Sequence, residues 1–481
     1  MESKKRRNIL HLKKMILCFT ALFIICITTV QAYSDSTEGK EELTFFLEDN
    51  STDIINQIKN QFGEENFEYI SEIGLAKLTI DSERKDEFDL YDIEYTELPK
   101  INSESLNVST NSTYNLLNNS TYNLLNNSTY NLLNNSTYNL LNNSTYDLLN
   151  NSTYDLLNNS TYDLLNNSTY DLLNNSTYLN FTWNYKRILE PLDDKNSNGG
   201  KGVAIALIDS GVDVTHPGLQ DNQIVQINYS NSESSEDEYG HGTQIAGVID
   251  TLSPNATLYS YKVMGGTEGD SYDIFRAIID AAIRNVDIIN ISLSTQKNTT
   301  SDLLTIEAYK RAVDFAKNRG IFVVASAGNT STNLDEQEST IHLPGGLDDV
   351  ITVGATTKDG AKADYSNYGT KVQIYGPVGW LGESYSTQGV VDAREMMMTY
   401  FPTTLTSIFE TPDVIPKGTT LSYGTSLAAP EVSSALATII SKYYSQKGWY
   451  DYYQVENELF GNSKQYNLGD SNVINEVRIK D

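Results

Sequence analysis

Val203-Ala204-Ile205-Ala206-Leu207-Ile208-Asp209-Ser210-Gly211 is the stretch on which the fold turns. An unbroken apolar run without alternation is the pattern of a strand covered on both faces, and this one stops at a carboxylate and a turn. The same type recurs at Val286-Asp287-Ile288-Ile289-Asn290-Ile291, at Ile321–Ala325 and at Val350–Val353. Between them, Ser271–Asn285 and Ser301–Lys317 have the composition and length of helices. Continuous strands separated by helices predict an α/β fold, a parallel sheet with helices on both faces, from about Trp183 onward.

Three further motifs follow the first in chain order. Gly240-His241-Gly242-Thr243 opens the apolar run Ile245–Ile249, and Ser326-Ala327-Gly328-Asn329 directly follows the strand Ile321–Ala325. Gly424-Thr425-Ser426-Leu427-Ala428-Ala429-Pro430 opens a helical stretch that continues to Ile440. Singly, each has an ordinary structural reading: Asp209 a turn residue, Gly-His-Gly a tight turn, Asn329 a cap, Gly-Thr-Ser a helix start. Together they supply what nucleophilic catalysis needs. A serine hydroxyl must lose its proton to a base, and a carboxylate must hold that base in one tautomer. Ser426 fits the nucleophile, His241 the base and Asp209 the orienting carboxylate. At a helix N-terminus the Ser426 N–H can bind an oxyanion, and the Asn329 amide can be the second donor.

These blocks resemble the active-site motifs of the subtilisin-like serine peptidases, which read much as Asp-Ser-Gly, His-Gly-Thr and Gly-Thr-Ser-x-Ala-x-Pro. The resemblance covers about residues 183–445 and implies the Ser–His–Asp mechanism and the oxyanion role of Asn329. It also implies that Ser292, Leu293 and Ser294 line a cleft where substrate pairs as an extra strand, with Ser294 standing where the family usually has Gly. Leu343-Pro344-Gly345, Ser366-Asn367-Tyr368-Gly369 and Tyr375-Gly376-Pro377 look like further family blocks. Within the family, Trp183–Ile188 and Tyr423–Ser434 are similar to the lanthipeptide leader-peptide proteases of Gram-positive bacteria. That likeness implies removal of a leader from a modified precursor peptide, often after a basic residue. A broad secreted subtilisin, or a non-enzymatic surface protein built on the repeat described below, are the alternatives. Structural calcium is common in the family, but no ligand set in this sequence can be named; no cofactor is expected.

Upstream, Lys4 to Lys14 precede an apolar run from Met15 to Val30, and Val30-Gln31-Ala32 offers a small-residue cut site. Residues 1–32 therefore read as a secretory signal, against the alternative of an uncleaved anchor. Both of the chain's cysteines, Cys18 and Cys26, lie within it. That excludes a disulfide scaffold or cysteine metal site elsewhere and suits a bacterial protein working outside the cell. Four histidines argue against a multi-histidine metal centre.

Residues 33–110 contain a small α+β domain: a strand at Leu43–Leu47, a helix at Asp53–Phe62, a hairpin turning at Gly74 and a last strand at Asp89–Tyr95. By the resemblance it is an inhibitory propeptide that assists folding. Residues 111–178 repeat Asn-Ser-Thr-Tyr-Asn/Asp-Leu-Leu-Asn every eight residues. Eight residues turn a helix by about 800°, so the Leu pair would drift and build no stripe. The array reads as a spacer, with an adhesive or glycosylated stalk as the sharper alternative; as a coil it would average about 40–48 Å. Residues 179–481 complete the chain as the peptidase domain. The net charge of −29 excludes nucleic acid as a partner. It would attract a cationic substrate, or serve solubility alone. The expected partners are a peptide substrate and the chain's own propeptide, and the protein is expected to act as a monomer.

Overall fold

The computed structural model describes residues 39–47, 52–103, 172–189 and 198–480, apart from positions 92, 97, 99, 174, 176, 177, 267, 338, 412, 413 and 468–472. The signal reading and most of the repeat lie outside the described residues. Two compact units are present. The first runs to Glu97 without Ile70–Ile73; the second comprises Ile70–Ile73 and everything from Leu98.

The first unit contains β1 (Lys40–Phe46), α1 (Thr52–Phe62), β2 (Phe67–Ile70), β3 (Leu75–Asp81), α2 (Lys85–Asp89) and β4 (Tyr95–Thr96). The sheet order is β2-β3-β1-β4. Alternation puts Leu43, Phe45, Ala76 and Leu78 into one core with Ile58 and Phe62 of α1. The strand expected over Asp89–Tyr95 shrinks to the two residues of β4, and a helical turn precedes it. Phe88 explains the difference. It is fully buried with its ring 4.8 Å from that of Phe45, and one turn of helix delivers it there while Arg84 and Glu87 pair outside.

The second unit begins with β5 (Lys100–Ser103) and α3 (Trp183–Ile188), then β6 (Ala204–Asp209), β7 (Ile224–Asn228), α4 (His241–Leu252) and β8 (Thr257–Lys262). It continues through β9 (Glu268–Asp270), α5 (Ser271–Ile283), β10 (Ile288–Ile291), β11 (Leu293–Asn298), α6 (Leu303–Lys317), β12 (Phe322–Ser326) and β13 (Thr340–Leu343). After β14 (Ile351–Thr356) come β15 (Ile374–Pro377), α7 (Glu383–Gln388), β16 (Met397–Tyr400) and β17 (Thr419–Ser422). The last elements are α8 (Thr425–Lys447), α9 (Tyr452–Asn462), β18 (Lys464–Asn467) and β19 (Val473–Glu476).

Nine strands form the main sheet in the order β18-β19-β15-β14-β12-β10-β6-β8-β7. Every pairing is parallel except that of edge strand β18 with β19. The four strands expected from sequence are β6, β10, β12 and β14, adjacent at its centre, in keeping with their mostly apolar, non-alternating sequences. Helices α4 and α8 cover the face bearing Ile205, Leu207, Ile288, Val324 and Val353. On the other face α5 and α6 pack together, with Phe275 edge-on to Tyr309.

Two packing features lie at the segment boundaries read from the sequence. Leu172 and Tyr178, from the end of the repeat, are buried in the main core beside Phe181 and Tyr185. β5, read with the first domain, belongs to a second sheet of order β13-β11-β5-β9, where β11 and β9 satisfy its backbone on both sides. The stretch Trp183–Ile188 is α3, tied down by Arg187, whose guanidinium grips Glu476 through bonds of 2.7 and 2.6 Å. Among the described residues no helix is long and apolar enough to cross a membrane.

Candidate active site

Asp209 is the last residue of β6, at the carboxyl end of a central strand. Both it and His241, the first residue of α4, are buried. His241 Nδ1 lies 2.8 Å from Asp209 Oδ1, which also accepts the Ser210 N–H. Asp209 Oδ2 has no hydrogen-bond partner among the described residues. A carboxylate at this distance from Nδ1 holds the imidazole in one tautomer.

The glycines of the two motifs are dictated by contact. A Cβ on Gly242 would lie 2.0 Å from the carbonyl oxygen of Gly211, so the Asp-Ser-Gly turn and the start of α4 touch backbone to backbone.

Ser426 is the second residue of α8, in the first turn, where N–H groups have no helical acceptor. Asn329 lies beside it. Its Oδ1 accepts from both the N–H and the hydroxyl of Thr425, each at 2.9 Å. These two bonds commit the carbonyl end of the amide to Thr425 and fix where its donor end points. Gly424 has φ 124, and a Cβ there would stand 3.4 Å from Asn329 Nδ2. The Thr425 hydroxyl also accepts the Gly328 N–H at 3.1 Å, locking the strand end to the helix start.

Ser292 follows β10 and is fully buried. Its Oγ accepts from Asn290 Nδ2 at 3.1 Å and donates to the Ser426 carbonyl at 2.7 Å. Leu293 is likewise buried, whereas Ser294 is partly exposed. Along β11, Leu293 pairs with Ser103 and Ser294 with Asn102 of β5, antiparallel. On its other side β5 pairs with β9, Asn102 opposite Glu268 and Lys100 opposite Asp270. An extended stretch of chain therefore lies as a middle strand beside residues 293–294, where the sequence led us to expect a substrate strand.

The other histidines among the described residues stand apart. His216 is fully buried; its Nδ1 accepts the Gly218 N–H and its Nε2 faces the Gly418 carbonyl at 2.7 Å. Burial holds its pKa below the usual histidine value, and the ring stacks on Tyr400. His342 is buried too, its Nε2 facing the Ser326 carbonyl. Among the described residues no group of three or more His, Cys, Asp or Glu side chains could hold a metal ion.

Sequence reasoning missed Asp237, Asn290 and Thr425. Asp237 sits in the acidic run Glu236-Asp237-Glu238, which looks like any solvated loop. Only its burial, with five donors aimed at it, distinguishes it.

Residues 200–471 match the model of the subtilase family, Peptidase_S8. Subtilisin DY of Bacillus licheniformis is 32% identical over 292 residues, which covers 58% of this chain and 90% of that protein. The epidermin leader peptide-processing serine protease EpiP of Staphylococcus epidermidis is 25% identical over 355 residues, covering 60% of this chain and 72% of its own length. The crystal structure of a lanthipeptide protease superposes with a TM-score of 0.54 at 30% identity, over 67% of this chain and 94% of that one. The match takes in the elements that bring Asp209, His241, Asn329 and Ser426 to strand ends and helix starts: the chain belongs to the subtilase family and is a serine endopeptidase of the subtilisin type.

Proposed function

We propose that the protein is a secreted zymogen whose mature form removes the leader from a lanthipeptide precursor by acyl-enzyme hydrolysis. Ser426 attacks the scissile carbonyl while His241 takes its proton, and Asp209 stabilises the imidazolium. The Asn329 amide and the Ser426 N–H bind the oxyanion, His241 then protonates the leaving amine, and water releases the acyl group. No cofactor enters any step, and one copy of the chain holds the whole site.

The observation that carries this reading is the 2.8 Å His241–Asp209 pair at the carboxyl edge of the parallel sheet. The leader-peptide preference rests on the likeness to EpiP and to the lanthipeptide protease. The propeptide role of residues 33–110 is supported by β5, which takes the place of a substrate strand and approaches Ser292 with its Ser103 end. The first cut then falls between Ser103 and the first repeat at Asn111, and the octapeptide array stays on the enzyme as a spacer. Residues 1–32 direct export.

The test is digestion of a lanthipeptide precursor beside denatured casein. Efficient cutting at one leader junction, with few casein products, supports the reading. Indiscriminate casein degradation assigns a broad secreted subtilisin instead.

A further inference from the structure

We propose that Asp237 is a positioning residue for the His241–Asp209 pair, acting through Ser210 and the first turn of α4. The inference rests on the reading of His241 and Asp209 as base and orienting carboxylate.

Asp237 is 2% exposed. Its Oδ1 accepts from the Ser210 hydroxyl at 2.9 Å and from the N–H groups of Tyr239 and Gly240 at 3.1 and 2.7 Å. Its Oδ2 accepts from the N–H and hydroxyl of Thr243 at 2.8 and 2.7 Å. The Ser210 hydroxyl in turn accepts the Gly242 N–H at 2.9 Å. The three residues around His241, namely Gly240, Gly242 and Thr243, therefore all donate into one buried cluster. Its far end is Ser210, the neighbour of Asp209.

A helix start normally has its free N–H groups served by the side chain of the N-cap residue. Gly240 holds that position in α4 and has no side chain to offer. The Gly242 and Thr243 amides go instead to Ser210 and Asp237. Capping the helix and setting its distance from β6 are thus done by the same bonds. The start of α4 cannot shift against Asp209 without breaking several charge-assisted hydrogen bonds in a dry site, where they are strong.

Lys262 provides the comparison. Its ammonium, on a side chain 1% exposed, bonds the Ser234 and Glu236 carbonyls at 2.9 and 2.7 Å and Glu238 Oε2 at 2.8 Å. It anchors the same loop, yet none of these bonds reaches Ser210 or α4. Loss of Lys262 should loosen the loop; loss of Asp237 should loosen the loop and misplace the base.

The experiment measures kcat, KM and thermal midpoint on processed wild type, Asp237→Asn, Ser210→Ala, the double variant and Lys262→Met. Misplacing a catalytic group by a fraction of its contact distance costs about 10²-fold in rate, and that loss is expected in kcat for Asp237→Asn with KM little changed. Ser210→Ala, a milder change that keeps every charge, should lose less. The double variant should lose no more than Asp237→Asn alone, because the two residues act as a unit. Lys262→Met should lower the midpoint and leave kcat near wild type. A near-wild-type kcat in Asp237→Asn overturns the proposal, as do losses in the two single variants that multiply independently. Should Asp237→Asn not fold, an unchanged kcat in Ser210→Ala overturns it equally. If the triad reading itself is wrong, Ser426→Ala retains activity, which separates that failure from this one.

Discussion

The Ser292 hydroxyl donates a 2.7 Å hydrogen bond to the main-chain carbonyl of Ser426. In a regular helix that carbonyl would accept the N–H of residue 430, but residue 430 is proline and has none. The proline of the Gly-Thr-Ser motif and the serine at the end of β10 are two halves of one arrangement. Pro430 releases the Ser426 carbonyl, and Ser292 ties it to the sheet.

Ser292→Ala should therefore strand a buried carbonyl, costing about 1–3 kcal/mol of stability. A lowered thermal midpoint with a smaller fall in kcat is expected. An unchanged midpoint would show that the bond carries no weight.

Asn329 has both an acceptor and a donor end to test. Its Oδ1 holds Thr425, so Asn329→Asp should keep the local structure while removing the donor. Turnover should fall about 10²–10³-fold in Asn329→Asp and Asn329→Ala alike. Parallel assays of both variants decide the point: full activity in either removes Asn329 from the oxyanion site.

Glu431, fully buried on α8, gives a prediction in pH. Its Oε1 accepts from Asn184 at 3.0 Å, and its Oε2 has no partner among the described residues. Burial, reinforced by nearby Glu476, raises its pKa well above the usual 4.5. A raised carboxyl contributes stability below the unfolded value that is lost as pH rises through the folded one. Glu431→Gln should therefore gain on wild type in thermal midpoint as pH climbs from about 4.5, the ordinary glutamate value. A gap that stays constant with pH would contradict the shift.

How much of this was legible beforehand follows from what each residue does. β6, β10, β12 and β14 are readable because a strand covered on both faces is mostly apolar and does not alternate. Asp209, His241, Asn329 and Ser426 were readable because glycine-bearing motifs surround them at element ends. β4 was misjudged because Phe88 reached the core through a helical turn, a tertiary demand that local alternation does not reveal. The partners of β5 and the burial of Leu172 and Tyr178 at the end of the repeat are not legible locally, for a related reason. A short strand is defined by its partners, and β11 and β9 lie far away in sequence. Asp237 escaped because a buried carboxylate and a solvated one have the same letter.

The proposed chemistry depends on Ser426, and the most direct measurement is an intact-mass time course of secreted wild type beside Ser426→Ala. Wild type should shorten to a species beginning between residues 104 and 111, repeat retained, while Ser426→Ala keeps everything downstream of the signal. Identical shortening of the two proteins would contradict it.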